Sequence, residues 1–85
     1  MRYYFDIRDG DHIAKDEFGV ELRNIDAAHT EAAVALTEMA RDYLPSDGPH
    51  RVLGIHVRDS AGPQFKVTID YEVEEQRAVT PAAAA

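Results

Sequence analysis

The sequence predicts an α+β domain: one long helix packed on a three- or four-stranded antiparallel sheet, with the elements in the order ββαββ. Residues 2–8, 50–59 and 65–74 alternate between inward and outward side chains, which is the period of half-buried strands. Residues 24–44 instead place apolar side chains every three or four positions, as one face of a helix does. Glycine-containing turns separate these segments, so helix and strands should form two layers around one core.

The chain opens with a strand and a tight turn. The side chains of this strand that should face the helix are Tyr3, Phe5 and Ile7. Residues 9–11, Asp-Gly-Asp, predict a turn because Asp and Gly tolerate positive φ. Residues 12–15 should then return as a short second strand, and residues 16–22 form a loop with a strand fragment, with a tight turn or bulge at Gly19.

The helix should begin at Asn24, whose side chain can accept a hydrogen bond from the first turn. It should stop by Leu44 because Pro45 disfavours helical backbone in the residue before it. The predicted core face consists of Ile25, Ala28, Ala32, Ala35, Leu36, Met39, Tyr43 and Leu44. The predicted solvent face consists of Asp26, His29, Thr30, Glu38, Arg41 and Asp42.

A second hairpin follows the helix. Residues 50–59 and 65–74 form its strands, and the sequence Ser-Ala-Gly-Pro at 60–63 forms its turn. The strand at 65–74 is the most regular in the chain. If it lies at a sheet edge, its unpaired backbone groups favour pairing with a second molecule. The sequence therefore predicts a possible homodimer.

Length and composition indicate one small domain. A chain of 85 residues with 45% apolar and 29% charged residues is ordinary for a globular protein. The domain should span residues 1–75. Residues 76–85 carry little apolar surface and end in four alanines, so we expect a frayed C-terminal tail.

Charge and residue usage exclude several classes of function. The formal net charge of −7 disfavours binding to nucleic acid and to anionic membranes. The chain has no cysteine, which excludes disulfides, thiolate metal sites and a cysteine nucleophile. No apolar run approaches the roughly 20 residues that a membrane-spanning helix needs, and the default expectation is a cytoplasmic location.

One face of the predicted sheet is left uncovered by the single helix. Alternation assigns to it Arg2, Tyr4, Asp6, Arg8, Val52, His56, Arg58, Lys66, Thr68, Asp70 and Glu72. A mixed polar surface of this kind can be solvated or can contact a partner. The residues that we select as a possible interaction face are Tyr4, Arg8, His56, Arg58, Lys66 and Asp70.

Tests for chemical motifs give no catalytic residue, no cofactor site and no metal site. The segment that contains Asp6, Asp9 and Asp11 lacks the glycine and the glutamate that a calcium loop needs at its sixth and twelfth positions. The four histidines lack a ligand partner at helical spacing. A Ser-His-Asp arrangement is available only within residues 56–60, crowded into a strand end and its turn. The glycines do not form a phosphate-binding loop, and we predict no cofactor.

The chain resembles an uncharacterised domain-of-unknown-function family of short bacterial proteins, common in rhizobia and their relatives. The similarity is in residues 2–10, in the Asp-Glu-x-Gly-x-Glu-Leu segment at 16–22, in the alanine-rich helix and in Val-Arg-Asp-x-x-Gly at 57–62. This resemblance implies no activity. A weaker one, carried by residues 3–5 and 24–28, is to the partial RNase H-like fold of HicB-type antitoxins, but the C-terminal segment is too short for their DNA-binding part.

Two functions remain open from the sequence. The first is a non-enzymatic protein-interaction or regulatory module that acts through the free sheet face, a sheet edge or the acidic helix surface; the identity of its protein partner is unknown. The second is a small-molecule binder or enzyme that uses His56, Arg58 and Asp70 on the exposed sheet face. The fold alone does not decide between them, because small α+β folds host many functions.

Overall fold

The computed structural model describes residues 1–77. Its elements are β1 (Arg2–Asp9), β2 (His12–Ala14), β3 (Val20–Glu21), α1 (Ile25–Tyr43), a 3-10 turn (Leu44–Ser46), β4 (His50–Asp59) and β5 (Gly62–Glu72). The predicted α+β class is confirmed. The order is βββαββ because the strand fragment expected within residues 16–22 pairs with β1 as a strand of its own.

The sheet is antiparallel, with strand order β2-β1-β4-β5, and β3 also pairs with β1. β2 and β3 share one edge of β1: β2 pairs with its C-terminal half and β3 with its N-terminal end. β4 occupies the centre of the sheet between β1 and β5. β5, the longest strand, therefore lies at an edge.

The core lies between α1 and the middle of the sheet. Leu53, Ile55 and Val57 of β4 are fully buried, and Ala28, Ala32 and Leu36 are the buried residues of α1. Tyr3 of β1 completes the buried apolar cluster.

Three predictions about the helix and first strand need correction. Ile25 and Tyr43 were expected in the core but are 37% and 42% exposed, since α1 is about 28 Å long at 1.5 Å per residue and its ends extend past the buried centre. Ile7 is also exposed on the helix side of β1. His29 is exposed, in agreement with its predicted solvent face, and its ring also packs edge-on against Phe65, with 4.3 Å between ring centroids.

The boundaries of α1 agree with the sequence signals. The side chain of Asn24 accepts a hydrogen bond of 2.9 Å from the backbone N–H of Ala27, which satisfies one of the unpaired donors of the first turn. The α-helix ends at Tyr43, and the chain continues through Pro45 as a single 3-10 turn. The predicted tail at 76–85 lies outside the described residues except for Gln76 and Arg77, which form no helix or strand.

Candidate functional site on the open sheet face

The strand register places polar side chains side by side on the sheet face that α1 does not cover. Asp6 pairs with His56, and His56 pairs in turn with Lys66, so these three residues form one row across β1, β4 and β5. Tyr4 pairs with Arg58 in the neighbouring row. The structure thus brings together Tyr4, His56, Arg58 and Lys66 of the predicted interaction face.

The other two residues of that predicted face lie apart from this group. Arg8 directs its Nε to the carbonyl oxygen of Gly10 at 2.7 Å. Asp70 pairs in register with Val52 and contacts the ring of His50 at 3.1 Å. Asp70 is four residues from Lys66 along β5, or about 13 Å at the rise of an extended strand. Within the described chain, the trio of His56, Arg58 and Asp70 is therefore not assembled.

An ion pair between a buried aspartate and a half-buried arginine lies at the centre of the site. Asp6 is the buried charged residue of the described chain, at 5% exposure. Arg58 donates to it twice, from Nε to Oδ2 at 2.9 Å and from Nη2 to Oδ1 at 3.3 Å. The guanidinium carbon also lies 4.6 Å from the centroid of the Tyr4 ring, a distance at which a cation is attracted to an aromatic face.

Asp16, in the connection between β2 and β3, extends this network. Its backbone N–H donates to Asp6 Oδ1 at 2.9 Å, and its carbonyl oxygen accepts from Arg58 Nη2 at 2.8 Å. Its carboxylate accepts hydrogen bonds from the backbone N–H groups of Phe5, Phe18 and Gly19 at 3.0–3.1 Å. The connection therefore lies against the sheet, and the expectation of a wholly uncovered face is wrong at this end.

Gly19 allows the connection to approach β1 so closely. Its φ is +75°, and a Cβ there would lie 3.0 Å from the carbonyl oxygen of Tyr3 and 3.0 Å from the Tyr4 ring. A residue with a Cβ atom is disfavoured here, both by the positive φ and by these close contacts. The sequence predicted a tight turn or bulge at Gly19, and the structure has a bend at residues 17–18 followed by a positive φ at Gly19.

Both carboxylates of the network are held in the ionised form. Burial raises the pKa of Asp6, but hydrogen bonds from Arg58 and from the Asp16 N–H outweigh burial and leave this pKa below its ordinary value. Burial likewise raises the pKa of Asp16. The hydrogen bonds from the N–H groups of Gly19, Phe5 and Phe18 outweigh burial, so this pKa is also below its ordinary value. The hydrogen bond to Asp6 raises the pKa of Arg58. The network therefore consists of fixed charges at neutral pH.

A cavity of about 400 Å³ adjoins the ion pair. Its polar lining is Asp6, Lys15, His56, Arg58, Gln64 and Lys66, and its apolar lining is Val57, Pro63 and Phe65. The register between β4 and β5 shifts here: Val57 pairs with Phe65 but Arg58 pairs with Pro63, so Gln64 has no partner across the sheet. Such a bulge interrupts the regular pairing beside the cavity.

His56 is the cavity residue whose hydrogen bonding is incomplete. Its Nε2 is buried and has no hydrogen-bond partner within residues 1–77. Buried polar atoms in proteins are nearly always paired because an unpaired one loses its contact with water without replacement. This nitrogen has almost no accessible surface, so the cavity does not expose it.

The remaining polar clusters serve the fold. Arg51 donates two hydrogen bonds of 2.6 Å to Asp9 and also forms an ion pair with Asp47, which links β1 to the loop after α1. Asp59 accepts from the N–H of Ala61 and from Gln64 in the β4–β5 turn. In the described chain, no group of three or more His, Asp or Glu side chains is placed to hold a metal ion.

Sequence reasoning missed the two acidic residues that organise the site. Alternation placed Asp6 on the same face as Arg58, and this shared face was the available signal for the ion pair. For Asp16, the signal was an aspartate three residues before a glycine, a pattern in which the side chain accepts hydrogen bonds from the following turn. Neither signal identifies the partner strand, so neither residue could be assigned a role.

The family model described as Domain of unknown function (DUF6894) matches residues 2–70. The chain belongs to the DUF6894 family. The matched range contains the whole acidic and basic network of this family member, from Tyr4 to Lys66. No curated protein and no solved structure matches the chain. None of the helices in residues 1–77 is long and apolar enough to cross a membrane.

Proposed function

We propose that this DUF6894 protein is a non-enzymatic interaction module that forms a two-fold dimer by pairing the β5 strands of two copies. The observation that carries the proposal is the position of β5, Gly62–Glu72, at the edge of the sheet, beyond β4. An edge strand presents backbone N–H and C=O groups that another strand can bind. The opposite edge consists only of the short strands β2 and β3, so β5 offers the longest free edge of the described chain.

The direction of each backbone group on β5 follows from two hydrogen bonds. The N–H of Val73 donates to the carbonyl oxygen of Pro49, and the N–H of Gly10 donates to that of Val52. By the alternation of antiparallel strands, the odd-numbered residues of β5 bond to β4 and the even-numbered residues direct their backbone groups outward. The outward-directed residues after the bulge at Gln64 are Lys66, Thr68, Asp70 and Glu72.

Side-chain complementarity favours one register for a second copy. A two-fold axis at Thr68 places Lys66 of each strand opposite Asp70 of the other. On the helix side, the same register places Phe65 opposite Tyr71. Axes at Lys66 or at Asp70 would instead bring like charges together, which destabilises strand pairs.

Two further registers also avoid like charges. An axis at Val67 leaves Lys66 opposite the uncharged Thr68. An axis at Ile69 pairs Lys66 with Glu72 and so also forms two opposite-charge pairs, but on the helix side it places Val67 rather than Phe65 opposite Tyr71. The Thr68 axis is favoured because it combines two opposite-charge pairs with two Phe65–Tyr71 pairs, and aromatic pairs stabilise facing strands. Two-fold symmetry is the commonest form of self-association.

The carboxylates of Asp6, Asp9 and Asp16 do not have the raised pKa of a general acid. Hydrogen bonds from Arg51 lower the pKa of Asp9, and the pKa values of Asp6 and Asp16 are also below the ordinary value. General acid catalysis at neutral pH needs the opposite shift. Three predictions from the sequence stay predictions, and the dimer does not depend on them. They are a cytoplasmic location, the lack of nucleic acid and membrane partners, and the resemblance to HicB-type antitoxins and rhizobial proteins.

Charge reversal tests both the dimer and its register. We expect a mass of twice the 9.5 kDa chain at micromolar concentration by sedimentation. Lys66→Glu or Asp70→Lys alone should weaken dimerisation about tenfold or more, because each places two like-charge pairs in the interface. The double variant should restore wild-type affinity, and Glu31→Lys on the exposed face of α1 is the matched control. A monomer mass of the wild type across a wide dilution series rules the dimer out.

A second variant tests the edge itself. Thr68→Pro removes one outward-directed N–H without removing a hydrogen bond to β4, since proline lacks the donor and is tolerated at edge strands. The expected result is a monomer that retains the circular dichroism spectrum of the wild type. A folded variant that still dimerises would show that the copies associate through another surface.

A further inference from the structure

The helix covers mainly one half of the width of the sheet. α1 packs chiefly against β4 and β5, and the cross-strand neighbours Ile7 and Ile55 show where this cover ends. Both side chains lie on the helix side of the sheet, but Ile55 of β4 is 1% exposed whereas Ile7 of β1 is 39% exposed. Strands lie about 4.8 Å apart, and a helix with its side chains is about 10–12 Å wide. The helix side of β1 and β2 therefore has room for one more helix, which residues 1–77 do not supply.

This uncovered half forms a groove beside the C-terminal half of α1. Its apolar floor is lined by Phe5 and Ile7 of β1 and by Ala35, Met39 and Tyr43 of α1. Past Ile7 and Tyr43 the groove continues to Ala14 of β2. The two depressions that form it have volumes of about 300 and 510 Å³. Partly exposed apolar side chains gathered in one concave surface are typical of a site that binds another protein.

The rim of the groove is acidic. Glu38 and Asp42, one helical turn apart on α1, line it and take part in no ion pair within residues 1–77. Asp9 and Asp47 lie at its other end, where both bind Arg51. Four carboxylates thus face one guanidinium, and the two carboxylates on α1 remain available to cations of a partner.

We propose that this groove binds a short basic amphipathic helix of a partner protein. The apolar stripe of that helix packs on Ile7, Met39 and Tyr43, and its Lys or Arg side chains pair with Glu38 and Asp42, as in other helix-in-groove complexes. The floor from position 35 to position 43 of α1 is about 12 Å long at 1.5 Å per residue, which matches about two turns of a helix.

A partner fits this groove better than a second copy of the chain does. Each copy has a net charge of −7, so a second copy would approach the acidic rim against electrostatic repulsion. The groove is also distinct from the proposed dimer contact, because β4 separates β1 and β2 from the β5 edge. Binding of the helix therefore does not depend on the dimer.

Titration of the full chain with a designed peptide, followed by nuclear magnetic resonance, tests the groove. The probe is an alanine-rich helical peptide of about 15 residues with a leucine stripe flanked by lysines. It should shift the resonances of Ile7, Met39 and Tyr43 at a concentration of about 1 mM or less. A peptide with glutamate in place of each lysine should not shift them, and neither should a peptide of the same composition whose order has no apolar stripe.

Charge reversal separates binding in the groove from general attraction between a basic peptide and an acidic protein. Glu38→Lys combined with Asp42→Lys should weaken binding of the lysine peptide about tenfold or more, because it replaces attraction at the rim by repulsion. Glu17→Lys combined with Glu75→Lys is the matched control. Both of these residues are exposed and the net charge changes equally, so binding should stay within about threefold of the wild type.

A second pair of variants tests the apolar floor. Ile7→Thr should weaken peptide binding about fivefold, since it removes apolar surface but keeps a β-branched residue in the strand. Ile13→Thr is the matched control, because Ile13 pairs with Arg8 and so lies on the opposite face of the sheet; it should change binding less than twofold. Thr68→Pro, the variant expected not to dimerise, should bind the peptide as the wild type does.

Several outcomes would overturn the proposal. One is the absence of shifts with about 1 mM lysine peptide, and another is equal binding of the glutamate peptide or of the peptide without a stripe. Equal losses in either variant and its control would show attraction without a site. Loss of binding in Thr68→Pro would show that the peptide needs the dimer. Shifts of Ile7 and Tyr43 that grow with protein concentration in the absence of peptide would show that a second copy occupies the groove.

Discussion

The carboxylate of Asp16 accepts a hydrogen bond from the backbone N–H of Phe5 at 3.1 Å, at the point where β1 has no strand partner on that edge. Tyr3 pairs with β3 and Ile7 pairs with β2, so Phe5 lies in the gap between the two short strands. The side chain of Asp16 thus replaces a strand residue, which explains how a two-residue strand and a three-residue strand share one edge.

Substitution of Asp16 by alanine should destabilise the domain by about 2–4 kcal/mol. The substitution leaves the N–H groups of Phe5, Phe18 and Gly19 without their acceptor, and unpaired donors cost about 1–3 kcal/mol each when they are removed from water. Asp11→Ala, in an exposed turn, is the matched control and should change stability by no more than about 0.5 kcal/mol. Equal effects of the two variants in urea unfolding would show that Asp16 is not a structural acceptor.

Arg58→Met should destabilise the domain more than Arg8→Met, which makes the same substitution on the same sheet face. Methionine at position 58 leaves the buried carboxylate of Asp6 without its cation, and an uncompensated buried charge is strongly destabilising. The guanidinium of Arg8 reaches only a turn carbonyl, so Arg8→Met should cost less than about 1 kcal/mol. The free energies of unfolding of both variants check the expectation, and similar values would contradict it.

Stability should fall as the solution becomes acidic. The pKa values of Asp6 and Asp16 lie below the ordinary 3.8 in the folded chain, so the unfolded chain takes up protons first. Their stabilisation is complete above the unfolded value and is lost as the pH falls through the folded values. Urea unfolding between pH 7 and pH 2.5 should show this loss, and Asp16→Asn should show a smaller one. A profile that is flat below pH 4 would refute the assignment.

Gly19→Ala should destabilise the domain more than Gly48→Ala. Both glycines have positive φ, but a Cβ at Gly19 meets Arg2, Tyr3 and Tyr4 within 3.0 Å, whereas nothing lies within 4 Å of one at Gly48. Positive φ alone costs an alanine roughly 1 kcal/mol, and the contacts at Gly19 should bring the total to about 2–4 kcal/mol. The melting temperatures of the two variants provide the measurement; equal shifts would show that the connection can move away from β1.

Local patterns were sufficient to predict the layers of the fold. Alternation every two residues located both hairpins, and the apolar period of residues 24–44 located the helix and its buried face around Ala32 and Leu36. The chemistry of Asn24 and Pro45 located the ends of that helix. The errors at Ile25 and Tyr43 arose because periodicity gives the direction of a side chain but not whether the sheet extends beneath it.

Two features of the candidate site depended instead on the strand order. Arg58 meets Asp6 across 52 positions of sequence and Asp16 across 42, and β5 is an edge because β4 pairs with β1 on its other side. The sequence by itself determined which residues share a face, since that depends on neighbours two to four positions apart. Only the tertiary structure decided which faces and edges meet, because the pairing of distant strands depends on the packing of the whole chain.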